Sequence, residues 1–121
     1  MTEPARTDVQ LVLFEVAGTV LAADATQILR IARAAPDAHA LSGMAAPGQG
    51  RRALVYRRPG GGDEAQLRVD SIHGIVNAAV ESLRRMPAVT RALDFALGFW
   101  LGQEGPILLV DLCRTESSPS P

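Results

Sequence analysis

Three side chains that could share a proton lie close together in the sequence, at Asp70, Ser71 and His73. A serine, a histidine and a carboxylate form a hydrolytic relay when the histidine lies between the other two. The surrounding stretch, residues 67–76, alternates like a strand, and successive strand residues face opposite sides of a sheet. Asp70 and Ser71 are therefore expected on different faces, and this set predicts no relay. We expect isolated carboxylates such as Asp70 and Asp111 to accept hydrogen bonds from turn amides instead.

The other histidine and the single cysteine do not form a metal-ligating pattern. His39 lies in a stretch rich in alanine, glycine and proline, and Cys113 ends an apolar run far from both histidines in the sequence. Zinc ligands usually come in closely spaced pairs. We therefore expect no metal and no other cofactor, and the lone thiol is expected to be a small apolar group.

Two arginine pairs, Arg51-Arg52 and Arg57-Arg58, bracket a short apolar run and raise the question of nucleic-acid binding. Proteins that bind single strands add stacking aromatic residues to such charges, and only Tyr56 is available here. The glycine run at 59–62 lacks the Gly-Lys-Ser/Thr ending of a phosphate-binding loop. Both features favour a hairpin with charged ends, and no direct contact with nucleic acid is expected.

Length and composition indicate one folded domain. The chain has 121 residues, of which 47% are hydrophobic and 21% charged, with a formal net charge of −1. These values are typical of a globular protein and provide no broad basic field for nucleic acid or anionic lipid. No apolar stretch reaches the roughly 18–20 residues that cross a bilayer, and the N-terminus lacks the apolar run of a secretory signal. We expect a cytoplasmic protein with no direct membrane contact.

Hydrophobic alternation and glycine-rich turns predict a mainly β domain at residues 9–113, between disordered ends at 1–8 and 114–121. A first hairpin is expected from residues 9–16 and 19–22, followed by a helical turn that Asp24 caps. The further predicted elements are a strand at 28–31, a hairpin of 53–56 with 65–77, a two-turn helix at 79–85 ending before Pro87, an irregular or helical stretch at 89–97, and strands at 98–101 and 107–112. Residues 34–50 offer little to bury, so a flexible connection is expected there.

The order of these motifs resembles the CheW-like family of bacterial chemosensory proteins. The resemblance lies in Val69-Asp70-Ser71-Ile72-His73-Gly74-Ile75-Val76, in the segment Phe14–Ala23 with the strand Ile28–Ile31, and in the final run Ile107–Leu112. It implies SH3-like β-barrels with one or two short helices. It also implies a scaffold rather than an enzyme.

One family segment has no counterpart in this chain. Family members carry N-L-R-G and P-V-x-D-L motifs that contribute strands to one of two barrels, whereas this chain has only the connection at 34–50. The resemblance therefore implies that the second barrel is incomplete. Unpaired strand edges are usually covered or paired, so a homodimer formed by strand addition or swapping is one expectation.

The resemblance implies an adaptor that binds the cytoplasmic tip of a methyl-accepting chemoreceptor, with weak or absent docking to the CheA-type histidine kinase. Other CheW-like proteins are further candidate partners. A receptor helix would lie in an apolar groove, and Arg30 is expected to pair with a receptor carboxylate. The implied receptor-binding residues are Ile28, Leu29, Arg30, Ile31, Val69, Ile72, Ile75 and Val76.

Two other classes of function stay open at this point. One is a small SH3-like β-barrel module that binds a peptide or nucleic acid outside chemosensing. Binding to phosphates would weaken steeply with added salt, whereas binding in an apolar groove would not. The other is a subunit whose active site is completed by a partner, which only turnover of a substrate would support.

Overall fold

The regular structure of the protein is almost entirely β. The computed structural model describes residues 8–41, 50–60, 62–85, 95–102 and 105–115. Within these residues the strands are β1 (Asp8–Val16), β2 (Thr19–Asp24), β3 (Ile28–Arg33), β4 (Arg52–Arg57), β5 (Glu64–Val69), β6 (Ser71–Ala79), β7 (Leu83–Arg85), β8 (Ala96–Gly102) and β9 (Gly105–Val110). The described helical segments are short 3-10 turns at Ala25–Gln27, Val80–Ser82 and Leu112–Arg114, and no described helix is long and apolar enough to cross a membrane. The predicted mainly β fold is confirmed.

The larger of two sheets curls like a barrel. Its strand order is β6-β1-β2-β9-β8-β7, and only β2 and β9 run parallel. Val76 and Ala78 of β6 share an apolar cluster with Leu83 of β7, although these strands lie at opposite edges of the sheet. Side chains from the two edges meet because the sheet bends around this cluster, which also holds Leu11 and Trp100. We call it the barrel cluster.

The smaller sheet, with the order β3-β4-β5, is antiparallel throughout. Its inward side chains, such as Leu54 and Leu67, meet Phe14 and Leu21 of the larger sheet in the main core. All four of these side chains are almost fully buried. Three strands in the described part of this sheet agree with the expectation of an incomplete second barrel.

A single residue, Asp70, carries the chain from the smaller sheet to the larger one, between β5 and β6. Its N–H donates to the Glu15 carbonyl at 2.8 Å, and its carboxylate accepts from the Ala17 N–H at 2.7 Å. Ala17 and Gly18 form the β1–β2 turn with φ angles of 52° and 82°, which are the positive values that a tight hairpin turn requires. Asp70 therefore ties the change of sheet to the first hairpin, and its predicted bonding to a turn amide is confirmed.

The first hairpin and the Asp24 cap are also confirmed. Residues of β1 and β2 pair in register, and the Asp24 carboxylate accepts from the Thr26 N–H at 2.9 Å. Residues 8 and 114–115, which were predicted to lie in disordered ends, belong to β1 and to the last 3-10 turn with its C-cap. The rest of both ends lies outside the described residues.

Two strand and helix predictions are wrong. Residues 65–77 are not one strand, because the chain changes sheet at Asp70 and only β5 pairs with β4. The predicted helix at 79–85 is one 3-10 turn followed by β7. Leu83 packs in the barrel cluster and β7 pairs with β8, so sheet pairing overrides the helical spacing. Most of the stretch predicted at 89–97 lies outside the described residues, while Phe95 is buried.

The connection between β3 and β4 is more ordered than expected in its described part. The Ala34 N–H donates to the Arg51 carbonyl at 2.7 Å, so the chain leaves β3 and enters β4 at the same place. His39 forms a parallel bridge with Leu67 of β5, and Leu41 is buried in the main core. Residues 42–49 of the connection lie outside the described residues.

Replacing Asp70 tests the importance of the crossing. Asp70→Ala removes a charged acceptor and leaves the Ala17 N–H without its partner, so the free energy of unfolding should fall by about 1.5–3 kcal/mol. Urea denaturation followed by Trp100 fluorescence measures this change. Asp63→Ala is the matched control, because the Asp63 side chain is 93% exposed and its removal should change stability by less than about 0.5 kcal/mol. Equal stability of the two variants would show that the crossing does not depend on Asp70.

Candidate partner-binding groove

A groove opens between the two sheets beside the crossing. Ile31 of β3, Arg52 of β4, and Asp70, Ser71 and Ile72 line a hollow of about 380 Å³. Ile31 is 44% exposed, and Ile72 is half-buried against the main core. Two branched apolar side chains from different sheets therefore face one hollow, and Arg52, Asp70 and Ser71 complete its lining.

Further exposed apolar side chains lie on the same two strands. Leu29 of β3 is 45% exposed and Ile75 of β6 is 63% exposed. In the β1–β6 pairing, Ile72 lies opposite Phe14 and Ile75 opposite Val12. Since both partners belong to the main core, Ile75 projects from the same side of the sheet as Ile72. Ile31 and Ile72 of the groove, with Ile75 on the same side of β6, suit the apolar side of a helix, whereas Leu29 lies at an irregularity of β3 and is not among the residues that line the hollow.

Three other residues predicted to bind a receptor lie mainly in the interior. Val69 is fully buried in the main core, so its assignment to the receptor surface is corrected. Val76 is partly buried in the barrel cluster, on the other side of β6, and Ile28 is partly buried against the main core. The prediction took residues 28–31 and both residues 75 and 76 as one surface, whereas a strand turns alternate side chains to opposite faces.

Arg30 already has a partner within the protein. Its guanidinium donates to the Glu64 carboxylate at 2.8 Å, and this hydrogen bond lowers the pKa of Glu64. Both side chains are exposed. The arginine that lines the groove is instead Arg52, which the sequence pattern marked only as a charged end of a hairpin.

The serine and the histidine of β6 do not form a catalytic relay. Ser71 Oγ lies 3.4 Å from His73 Nε2, and Glu15 Oε1 lies 3.1 Å from the same nitrogen. A relay needs the hydroxyl and the carboxylate on different ring nitrogens. Asp70, the carboxylate that the sequence offered, bonds to the first hairpin.

The remaining polar groups that the sequence singled out have structural contacts. Asp111 accepts from the Cys113 N–H at 3.1 Å and caps the last 3-10 turn, as expected. Burial raises the pKa of the Cys113 thiol, and the Asp111 charge raises it further. His39 Nε2 lies 3.0 Å from Thr115 Oγ1 and 3.3 Å from the Tyr56 hydroxyl. Within the described ranges, no three His, Cys, Asp or Glu side chains form a group that could hold a metal.

Known proteins are similar to this chain over most of its length. Frizzy aggregation protein FrzB of Myxococcus xanthus is 41% identical over 105 residues, which cover 87% of this chain and 92% of FrzB. The crystal structure of scaffolding protein TtCheW from Thermoanaerobacter tengcongensis matches with a TM-score of 0.68 over 84% of this chain and 88% of that chain. At 16% sequence identity, the second match concerns the fold alone. No protein-family model matches the chain.

The Arg30–Glu64 pair makes the free energy of unfolding depend on pH, and the direction of the shift in the pKa of Glu64 fixes the sign of this dependence. Because the pKa of Glu64 is lowered in the folded state, the stabilisation is present above the ordinary titration range of glutamate and is lost as the pH falls through the lowered value. Arg30→Gln should return the pKa of Glu64 toward its ordinary value, as followed by NMR titration of the carboxyl carbon. Arg114→Gln, which removes an arginine paired with Asp111 instead, should leave the Glu64 titration unchanged. An unaltered Glu64 titration in Arg30→Gln would contradict the pairing.

Proposed function

Because this chain belongs to the CheW-like family, we propose that it is a non-catalytic, cytoplasmic adaptor in a bacterial chemosensory array. In this array it binds the cytoplasmic tip of a methyl-accepting chemoreceptor. The observation that carries this proposal is the groove, in which Ile31 and Ile72 from two sheets face one hollow. The receptor helix would lie along this groove. Ile31 and Ile72 would be its main apolar contacts.

The shape of the apolar surface supports this partner. A receptor tip is a coiled-coil hairpin, and an amphipathic helix presents apolar side chains on one face at every third or fourth residue. Ile75 is a further exposed apolar side chain on the same side of β6 as Ile72, and Leu29 is a further exposed apolar side chain of β3. Val69 belongs to the main core and Ile28 packs against it, so neither is proposed as a receptor contact.

The proposal also includes weak or absent docking to the CheA-type histidine kinase. It is supported by the connection that replaces the N-L-R-G and P-V-x-D-L strands of the family. Its ends are joined by the Ala34–Arg51 hydrogen bond, and its described part contributes one bridge, from His39 to Leu67. A barrel without those strands would lack part of the surface that meets the regulatory domain of the kinase.

Self-association by strand addition remains a prediction. In the described part of the chain, β3 is an edge of the smaller sheet and β6 is an edge of the larger one. The β3 edge carries Arg30 and Arg33, and charged side chains on an edge strand oppose pairing with a second copy. We therefore propose receptor binding as the main interaction and a homodimer as a secondary one.

A charge placed in the groove should weaken receptor binding strongly. Ile31→Asp puts a carboxylate where an apolar anchor is expected, so its affinity for a purified cytoplasmic fragment of a methyl-accepting chemoreceptor should fall at least tenfold, or by about 1.4 kcal/mol. Leu101→Asp is the matched control, because Ile31 and Leu101 are both 44% exposed and Leu101 lies on β8. Surface plasmon resonance measures both. Similar affinities for the two variants would contradict receptor binding in this groove.

Kinase docking is tested by direct capture. The immobilised regulatory domain of a CheA-type kinase should retain a full-length CheW and little of this protein at equal concentration, because this sequence lacks the N-L-R-G and P-V-x-D-L motifs. The receptor fragment serves as the positive control for folded, active protein. Capture equal to that of the full-length CheW would overturn the kinase part of the proposal.

A further inference from the structure

Four of the arginines gather at one end of the smaller sheet. Arg33 ends β3, Arg51 immediately precedes β4, Arg52 begins β4, and Arg68 is the next-to-last residue of β5. Arg33 and Arg52 are direct partners in the β3–β4 pairing. Arg33, Arg51 and Arg68, together with Ala34, line a hollow of about 310 Å³. We call these four residues the arginine cluster.

The arginine cluster has no carboxylate partner in the described part of the chain. The ion pairs found there involve Arg30, Arg58, Arg114 and His73 instead. Arg68 donates to the carbonyls of Gly50 and Ala35, both at 3.0 Å, which are neutral acceptors. Residues 42–49 include no aspartate or glutamate, so this part of the connection brings no negative charge to the cluster.

Like charges opposite each other on neighbouring strands destabilise a sheet. The Arg33–Arg52 pair is therefore unfavourable in the protein alone, and an anion between the two guanidinium groups would remove the repulsion. A carboxylate suits this place, because each guanidinium presents two parallel N–H groups to its two oxygens. The arrangement therefore points to a ligand that carries carboxylates.

The position of the arginine cluster indicates where those carboxylates come from. Arg52 also lines the groove beside Ile31 and Ile72, and Arg33 follows Ile31 by two residues on β3. Two strand residues span about 6–7 Å. A helix advances about 1.5 Å per residue, so this separation corresponds to about four or five helical residues, or slightly more than one turn.

We propose that Arg33 and Arg52 of the arginine cluster bind acidic side chains of the same helix that occupies the groove, about one turn beyond the apolar residues that contact Ile31 and Ile72. Arg68 lies opposite Ala53 in the β4–β5 pairing, so it projects from the other side of the sheet and takes no part in this contact. This inference rests on the proposed function and specifies the partner further. The receptor segment must combine an apolar stripe with one or more carboxylates at the end that faces Arg33 and Arg52. Arg33 and Arg52 thus replace Arg30 as the cationic part of the recognition surface.

Neutralising the opposed pair is the direct test. Arg33→Gln and Arg52→Gln should each weaken binding of the receptor fragment by about three- to tenfold at low salt and reduce its salt dependence. Both should leave the thermal midpoint of the free protein unchanged or raise it, because the repulsion is relieved. Arg84→Gln is the control: Arg84 is an exposed arginine of β7 whose described hydrogen bonds go to backbone carbonyls, and its removal should change neither quantity.

The outcomes separate this inference from the proposed function. Unchanged receptor affinity in Arg33→Gln and Arg52→Gln, with binding still lost in Ile31→Asp, would overturn the inference and leave the groove in place. Retained binding in Ile31→Asp would overturn the proposed function itself. A fall in the thermal midpoint of the two arginine variants would overturn the inference by making the cluster structural. Binding of pyrophosphate or duplex DNA that depends on Arg52, with no effect on the receptor, would assign the cluster to phosphate.

Discussion

The crossing at Asp70 is the constraint on which the rest of the structure depends. One residue lies between a strand of the smaller sheet and a strand of the larger one, so the two sheets cannot move apart or slide at this point without breaking its hydrogen bonds to Glu15 and Ala17. The groove lies immediately beside the crossing, and Asp70 itself is part of its lining. The same short segment therefore joins the sheets and places Ile72 opposite Ile31.

Because side chains alternate between the two faces of a strand, neighbouring residues of one motif have different surroundings. Val69, the last residue of β5, is fully buried, whereas Ile72, three residues later on β6, is half-buried against the same core and lines the groove. Between these positions the chain changes sheet, so the two sides of a strand acquire different neighbours before and after Asp70. This part of the motif thus contains a core residue, a crossing and a groove-lining residue in close succession.

Much of the fold could be predicted from the sequence, because hydrophobic alternation and turn residues report local structure. The first hairpin, the Asp24 cap and the strand around Ala53–Tyr56 follow from such local signals. The crossing could not be predicted in this way, since alternation continues on both sides of Asp70 and only the pairing partners change. The helix expected at 79–85 failed for a related reason: the spacing of Val80 and Leu83 suits a helix, but Leu83 pairs with Trp100 of β8, and tertiary pairing overrides a weak local preference.

The candidate groove, like the fold, could be predicted from the sequence only in part. Ile31 and Ile72 belong to motifs that the sequence identified, yet only the structure shows that they line one hollow. The structure also shows that Val69 is buried in the core and does not line this hollow. Arg30 and Glu64 are separated by 34 positions in the chain, so no local pattern indicated that Arg30 was already paired. Arg52 lines the groove because of the strand order, in which β4 lies between β3 and β5. The residues next to Arg52 in the sequence do not indicate this order.

The central claim, that a receptor helix lies in the groove between Ile31 and Ile72, is tested most directly by methyl NMR. The chain contains five isoleucines, at positions 28, 31, 72, 75 and 107, and Ile107 packs in the barrel cluster away from the groove. Titration of an isoleucine-labelled sample with a chemoreceptor tip fragment should shift or broaden the methyl signals of Ile31 and Ile72 and leave that of Ile107 unchanged. Saturable binding that leaves the Ile31 and Ile72 signals in place would contradict the account.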